Sequence, residues 1–457
     1  MSLFKYKFRP PHMGKYPMEQ VKRVDEPTTR IDKERVPRVP IRGAFFTRPN
    51  FGDLGERVKS ERQRFMAKSP LGRAMGESLA ANIPLQDGPV AEDIAPGTDD
   101  PEEMMKHIKS MAYFLDIDMV GICEIPEYAW YSHDSDGNEV TPDHKYAIVM
   151  IIDQGYETME GASGDDWISG PQSYRAYLRG QEVGNVVANY IRQLGYGARC
   201  HSSAKGQVLQ IPLMLLAGLG ELSRIGELVL NPFLGPRMKT AGVTTNLPMT
   251  CDKPIDFGLQ KFCESCWKCA RECPCNAIPF GDKIMFNGYE IWKPDVENCA
   301  KYRLTNPKGS ACGRCMKTCP LNKVVTEDGP LLQRMASWLG INAMWLKPLL
   351  IPIAVKLDDW MGNGKRVPGQ KWWLDLEYGK EGKLKMSKSN ERDIDVNKKW
   401  PKNLTTAIYP AEDNPPGDSR DAHPIDRPRA MEKGEEARKP ENSPKNTPKP
   451  AASEAAK

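Results

Sequence analysis

Long hydrophobic runs are missing from this chain. Its most apolar stretch, residues 330–355, is broken by Arg334, Lys347, Pro348 and Pro352, and it falls short of the roughly 18 to 20 uninterrupted apolar residues that a membrane span needs. That stretch reads as a packed helical segment or as one in peripheral membrane contact. Export signals are missing too: the opening MSLFKYKFRPPHMGKYPMEQ carries basic residues but neither an apolar h-region nor a twin-arginine pair, so cytoplasmic residence is expected. Charge of one sign is not in excess. The 64 Lys and Arg are interleaved with 60 Asp and Glu, for a net +4, and without a basic stripe there is no footprint for nucleic acid. No internal repeat occurs beyond two cysteine motifs.

Cysteine, by contrast, is concentrated. Cys263, Cys266, Cys269 and Cys273 follow an x2, x2, x3 spacing that ends in Pro274, and Cys312, Cys315 and Cys319 follow x2, x3 and end in Pro320, with Cys299 upstream across an x12 gap. Thiolates at x2 spacing project from one tight loop onto successive corners of a 4Fe-4S cube, whereas the x3-Cys-Pro element points its sulfur elsewhere. In the bacterial-ferredoxin arrangement the last cysteine of each run serves the other cluster. One cube therefore takes Cys263, Cys266, Cys269 and Cys319, and the other Cys299, Cys312, Cys315 and Cys273. The competing uses are zinc knuckles, which rarely employ a triple CxxCxxC, and disulfides, which call for an export route. Of the remaining cysteines, Cys123 and Cys200 read as small core hydrophobes. Cys275 lies in the cluster loop but is out of register for a ligand.

The 457 residues divide by composition into five parts. Residues 1–100, rich in proline and charge, suggest an extended arm wrapping another domain. Residues 101–250 alternate helices and buried strands. Asp100-Pro101-Glu102-Glu103 opens a helix with an N-cap, a first-position proline and a glutamate three on. Strands are expected at 118–125, 146–152 and 199–202, and a helix at 181–194 closed by Gly195. This pattern argues for an α/β core. Glycines 218, 220 and 226 punctuate Ala217 to Gly226, where they serve either plain turns or close backbone approach to a bulky ligand. Residues 251–325 form the two-cluster module. Residues 326–410 carry Trp338, Trp345, Trp360, Trp372, Trp373 and Trp400, enough apolar area to anchor a wrapping extension. Residues 411–457 contain no aromatic residue, and a disordered tail is expected.

Paired cubes conduct electrons one at a time but make no bonds, so the 250 residues ahead of them should hold a second cofactor or a substrate. The segment MGKYPMEQVKRVDEPTT near the start, SYRAY at Ser173 to Tyr177, VANYIRQLGYGA at Val187 to Ala198, AGLGELSRIG, the two cysteine motifs and WWLDLE at Trp372 to Glu377 occur in the order of the corrinoid-dependent reductive dehalogenases. The ordered set resembles that family across roughly residues 13–380.

The resemblance implies a nitroreductase-like core of α+β or α/β class binding base-off cobalamin, with a bacterial-ferredoxin-like module of two [4Fe-4S] clusters feeding electrons to cobalt. The reaction implied is replacement of a halogen of an organohalide by hydrogen, with a halogenated phenol or other aromatic as the substrate class. It makes Gly218, Gly220 and Gly226 candidates for cofactor contact. It implies Tyr174 as the proton donor, with Tyr177 in reserve. Lys205 would fill the slot of the pKa-lowering cation, and Arg237 that of the arginine holding polar substituents, Arg224 competing for the latter role. No Asp-x-His-x-x-Gly element supplies a histidine to cobalt. A lysine in its slot and no export signal look more like the cytoplasmic branch of the family, and an external donor, a ferredoxin or flavodoxin with its reductase, is implied. Two other readings use the same cysteines: an enzyme like epoxyqueuosine reductase, and a non-catalytic iron-sulfur electron-transfer subunit.

Overall fold

The fold is known from a computed structural model, which describes residues 4–343, 347–379, 381–398 and 404–444. Its centre is a four-stranded sheet built from β1 (Met119–Glu124), β2 (Tyr146–Asp153), β3 (Ala198–His201) and β4 (Met238–Thr245), in the order β1-β2-β4-β3. All three pairings are antiparallel, with Met119 opposite Ile151, Tyr146 opposite Thr245 and Ala198 opposite Thr245. The class is therefore α+β, and the alternation of helices with strands does not generate a parallel sheet. β2 is buried from Ala147 to Ile152. Its even and odd residues enter two different cores, which is why the sequence there is apolar without alternation.

Three helices precede the second half of the sheet: α1 (Glu56–Arg64), α2 (Pro70–Ala81) and α3 (Pro101–Phe114). In α3 the Asp100 side chain accepts from the N–H groups of Glu102 and Glu103, as the capping pattern predicts. The long helix α4 (Ser169–Gln193) starts twelve residues before the expected 181–194. It lies against the sheet so closely that a Cβ on Gly180 would meet Ile152 of β2 at 2.7 Å and one on Gly184 would meet the Cys200 sulfur of β3 at 2.6 Å. Glycine costs about 1 kcal/mol inside a helix; here it permits the approach of the helix to the sheet.

Two expectations need correction. The arm over residues 1–100 is not simply extended. It contains α1 and α2, and α2 is tied to α4 by Gln181 Nε2 donating to Leu79 O at 3.2 Å. Nor is the tail disordered over residues 411–444. A helix at Arg427–Glu436 is capped by Asp426 and buries Ala430 and Gly434. Arg427 pairs with Asp295 at 2.8 Å and with Glu297 at 2.6 Å, on the second cysteine segment. Composition misses this because the segment is held largely by ion pairs and backbone contacts rather than by aromatic burial. The rest of the tail, 445–457, lies outside the described residues, as do Trp345 and Trp400.

Candidate active site

Eight cysteines converge from four short helices and their flanking loops. Cys263 sits on Leu259–Ser265, Cys269 on Lys268–Glu272, Cys299 on Val296–Thr305 and Cys315 on Arg314–Lys317. Cys263, Cys266, Cys269 and Cys319 line one small pocket together with Arg224, Ile225, Phe262 and Pro320. Cys273, Cys299 and Cys315 are near enough for their charges to bear on one another, and Cys312 faces Cys315 and Cys299. The last cysteine of each run thus lies with the other run's cage. Among the described residues, no three His, Cys, Asp or Glu side chains converge tightly enough to share a single ion. Two four-thiol sets with these spacings are the donors that a pair of iron-sulfur cubes takes.

Burial dominates the thiols' chemistry. It pushes Cys263 up to about 12 and Cys266 up to about 11, so filling a cage must expel protons. Cys273 is the exception. The Cys275 sulfur lies 3.7 Å from its own and the Ala277 N–H donates to it at 3.3 Å, and these contacts hold its thiol below the usual range. Cys275 is thus a neighbour of a cage residue. Arg224, the competing arginine, braces the first cage from behind: its Nε donates to Cys263 O at 2.7 Å and its guanidinium lies over Trp292 at 4.8 Å.

A second group stands where α4 meets the cluster segment. Tyr174 packs edge-on to Phe65 at 6.4 Å and against the apolar cluster to which Phe65 belongs. Burial raises its phenol, while the facing guanidinium charges of Arg62 and Arg303 lower it; burial wins, and the hydroxyl keeps its proton. Tyr177, one turn on, is half-buried, with Lys239 Nζ from β4 over its ring at 5.5 Å. Arg303 lies on the helix that carries Cys299 and stacks on Phe46 at 4.1 Å.

Two of the predicted site residues are engaged elsewhere. Lys205, at φ 55°, forms an ion pair with Asp136 in the loop beyond β3. Arg237 is buried and held by Asp153 at 2.8 Å and by Asn322 Oδ1 at 2.8 Å. It ties the end of β2 to the segment after Cys319 and lies over the Tyr156 ring at 5.2 Å. The cations beside Tyr174 and Tyr177 include Arg62, Lys239 and Arg303, which the sequence reading did not name. Lys239 leaves a faint trace, as the one charge within the eight-residue strand MKTAGVTT. Arg303 falls four residues after Cys299, one helical turn along.

The glycines make close contacts within the chain. A Cβ on Gly218 would meet Lys253 O at 2.1 Å, on Gly220 Leu230 O at 2.3 Å, and on Gly226 Pro294 Cδ at 2.3 Å. Other parts of this chain take up the space beside them, and the segment forms a tight hairpin of Glu221–Leu222 with Val229–Leu230. Orphaned polar atoms lie nearer the tyrosines. Gln154 Oε1 and Arg303 Nε are buried without a partner, although Gln154 Nε2 reaches Ser173 Oγ at 3.3 Å. A large ligand bearing amide groups could satisfy both.

No family model matches the chain. A curated relative, the tetrachloroethene reductive dehalogenase of Sulfurospirillum multivorans, is 36% identical over 190 residues, 39% of this chain and 35% of its own length. Among solved structures, the catabolic reductive dehalogenase NpRdhA in complex with 3-bromo-4-hydroxybenzoic acid superposes with a TM-score of 0.87 at 47% identity, covering 93% of this chain and 61% of that one. A reductive dehalogenase structure described as suggesting a mechanism for B12-dependent dehalogenation gives 0.88 at 48% identity, covering 93% and 61%. The chain therefore spans about a third of the curated relative's length and about three-fifths of the solved structures' lengths.

Proposed function

Since this chain belongs to the reductive dehalogenase family, we propose that it removes halogen from an anionic halogenated aromatic, using cobalamin and two [4Fe-4S] clusters. The observation that carries this reading is the adjacency of two crossed four-thiol cages to a phenol and guanidinium group. Arg303 belongs to both, since it stands one turn from Cys299 and its charge bears on Tyr174. We further propose that the antiparallel core is nitroreductase-like and that residues 251–325 form a ferredoxin-like module. The arm over residues 1–100 and the extension over 326–410 would close around them.

Replacing a carbon-bound halogen by hydrogen consumes two electrons and one proton and releases halide. The cages formed by Cys263, Cys266, Cys269 and Cys319 and by Cys273, Cys299, Cys312 and Cys315 would each hold a cube that passes one electron at a time. Bound cobalamin would supply the reducible metal centre that breaks the carbon–halogen bond, and Gln154 Oε1 and Arg303 Nε are the orphaned atoms suited to its amide groups. An external low-potential carrier, a ferredoxin or flavodoxin, would provide the electrons.

The proton comes from this chain. Tyr177 is the phenol proposed here, with Lys239 Nζ over its ring at 5.5 Å. Tyr174 packs on Phe65 and the apolar cluster around it, where its role is to position its neighbours. Arg62 and Arg303 would hold a substrate phenolate or carboxylate, and Phe46 offers the ring an aromatic wall. This division stands beside the one the resemblance implies, with Tyr174 as donor and Lys205 and Arg237 as the cations.

The test is anaerobic reconstitution with iron, sulfide and cobalamin, followed by halide release from bromophenols and chlorophenols with reduced viologen as donor. Uptake of cobalamin together with halide release supports the proposal. Fully iron-loaded protein that never retains cobalt would defeat it and leave the electron-carrier reading.

A further inference from the structure

Exposed apolar side chains gather in one part of the molecule, the helices Leu331–Asn342 and Lys347–Trp360. On the first, Leu332 is 61% exposed, and Met335 is exposed one turn on. On the second, Leu349 is 73%, Ile353 64% and Trp360 82% exposed, with Leu357 in the same row. Ile341 and Ile351 face inward and are buried, so both helices are already packed on one side. What remains outward is apolar, and a patch of this kind on an otherwise soluble surface marks a contact with something else.

The charges in this region are sorted by face. Between residues 331 and 361 the only carboxylates are Asp358 and Asp359, and both turn inward. Asp358 meets the fully buried Lys268 at 2.7 Å, and Asp359 meets Arg271 at 2.7 Å. Lys356 points outward, and Lys365 is exposed just beyond. The acids nearest in sequence, Glu327 and Asp328, precede the first helix, and Glu327 is paired with Lys7 at 3.1 Å. An outward face of leucine, isoleucine, tryptophan and lysine without a carboxylate has the composition of a helix that lies in a lipid interface. Among the described residues no helix is long and apolar enough to cross a membrane, so lying on the surface is the geometry available.

We propose that these two helices seat the protein on an anionic lipid surface. The seat is fixed to the first cage. Asp358, held by Lys268, is near enough for its charge to bear on Cys266 and Cys319, so the cage of Cys263, Cys266, Cys269 and Cys319 lies at the lipid-facing end of the molecule. The inference draws on surface chemistry alone and does not depend on the halide reaction.

The test is flotation of the cofactor-loaded full chain with vesicles of phosphatidylcholine alone and of equal parts phosphatidylcholine and phosphatidylglycerol. Expected are binding to the mixed vesicles, weaker binding to the neutral ones, and loss on adding salt. The double variant Ile353→Glu, Leu357→Glu should bind about tenfold more weakly or worse, with an unchanged melting temperature and unchanged halide release from a soluble donor. Brominated acyl chains should quench wild-type fluorescence more than that of Trp360→Phe, a comparison that stands even if the double variant does not fold. Failure to float with either vesicle, or equal quenching of wild type and Trp360→Phe, overturns the proposal. So does a solution dimer that the double variant breaks while vesicles capture neither, which would make this face a contact between copies.

Discussion

The cysteine cages and the phenol and cation group are neighbours, yet they are specified in different ways. Each cage draws three of its four thiols from a single run of cysteines, or from one run and a helix just upstream. The phenol group draws Arg62 from α1, Tyr174 and Tyr177 from α4, Lys239 from β4 and Arg303 from the cysteine segment. Spacing along the chain therefore constrains the first and hardly constrains the second. A metal cluster demands a fixed set of sulfur positions, which local geometry can deliver, whereas a proton donor needs only a charge nearby, which any element can bring.

The difference can be broken or sharpened by experiment, and the largest effect is expected in the cages. Cys319→Ala removes a thiol that comes from the far run, so iron per chain should fall by about half or more and halide release should disappear. Full iron content in that variant would contradict the crossed assignment. Next comes Tyr177→Phe, which should lower turnover by roughly 10²- to 10⁴-fold while both cofactors stay bound. If Tyr174→Phe shows the larger loss instead, the two tyrosines exchange roles.

A smaller effect belongs to the base of the first cage. Lys268→Met takes the nearest cation from the buried Asp358 and leaves it Lys323 at 3.4 Å and the Asn363 amide at 2.8 Å, and denaturant unfolding should register a loss of about 3 kcal/mol. An unchanged midpoint would mean that Lys323 and Asn363 suffice to hold that carboxylate.

The smallest effect lies at the seam between the regions, where Asp166 O accepts from Ser310 N at 3.1 Å. Burial raises the Asp166 carboxyl to about 6 from its ordinary 3.8. The folded state thus keeps a proton that the unfolded chain has released, so this group's contribution is best at acid pH. It declines as pH rises from about 4 to about 6 and is flat above, a change of up to about 3 kcal/mol. Comparing Asp166→Asn with wild type at pH 4 and pH 7 should show the variant gaining relative stability at the higher pH. A constant difference would mean that Asp166 ionises freely.

Elements with a local cause were legible in the sequence. The Asp100 cap and Pro101 announced α3, and the unbroken apolar run announced β2, because a cap and a doubly buried strand are each written in a few adjacent residues. The start of α4 was not, since Gly170, Pro171 and Gly180 argue against a helix until the sheet and Ser310 are seen pressing against it. Lys239 and Arg303 escaped for a related reason: what makes them significant is a tyrosine more than 60 residues away. The packed tail escaped because Arg427 reads as solvated until Asp295 and Glu297 stand opposite it.

The exchange of terminal thiols between the cages bears on how the molecule matures. Cys319 must return to the first cage and Cys273 must reach forward to the second, so neither inorganic centre can be completed until residues 263–319 have closed on themselves. A nascent polypeptide given one cube would still carry a dangling sulfur from the other. Closing the segment around either cube therefore brings the ligands of the other within reach, so filling one cage should favour filling its partner.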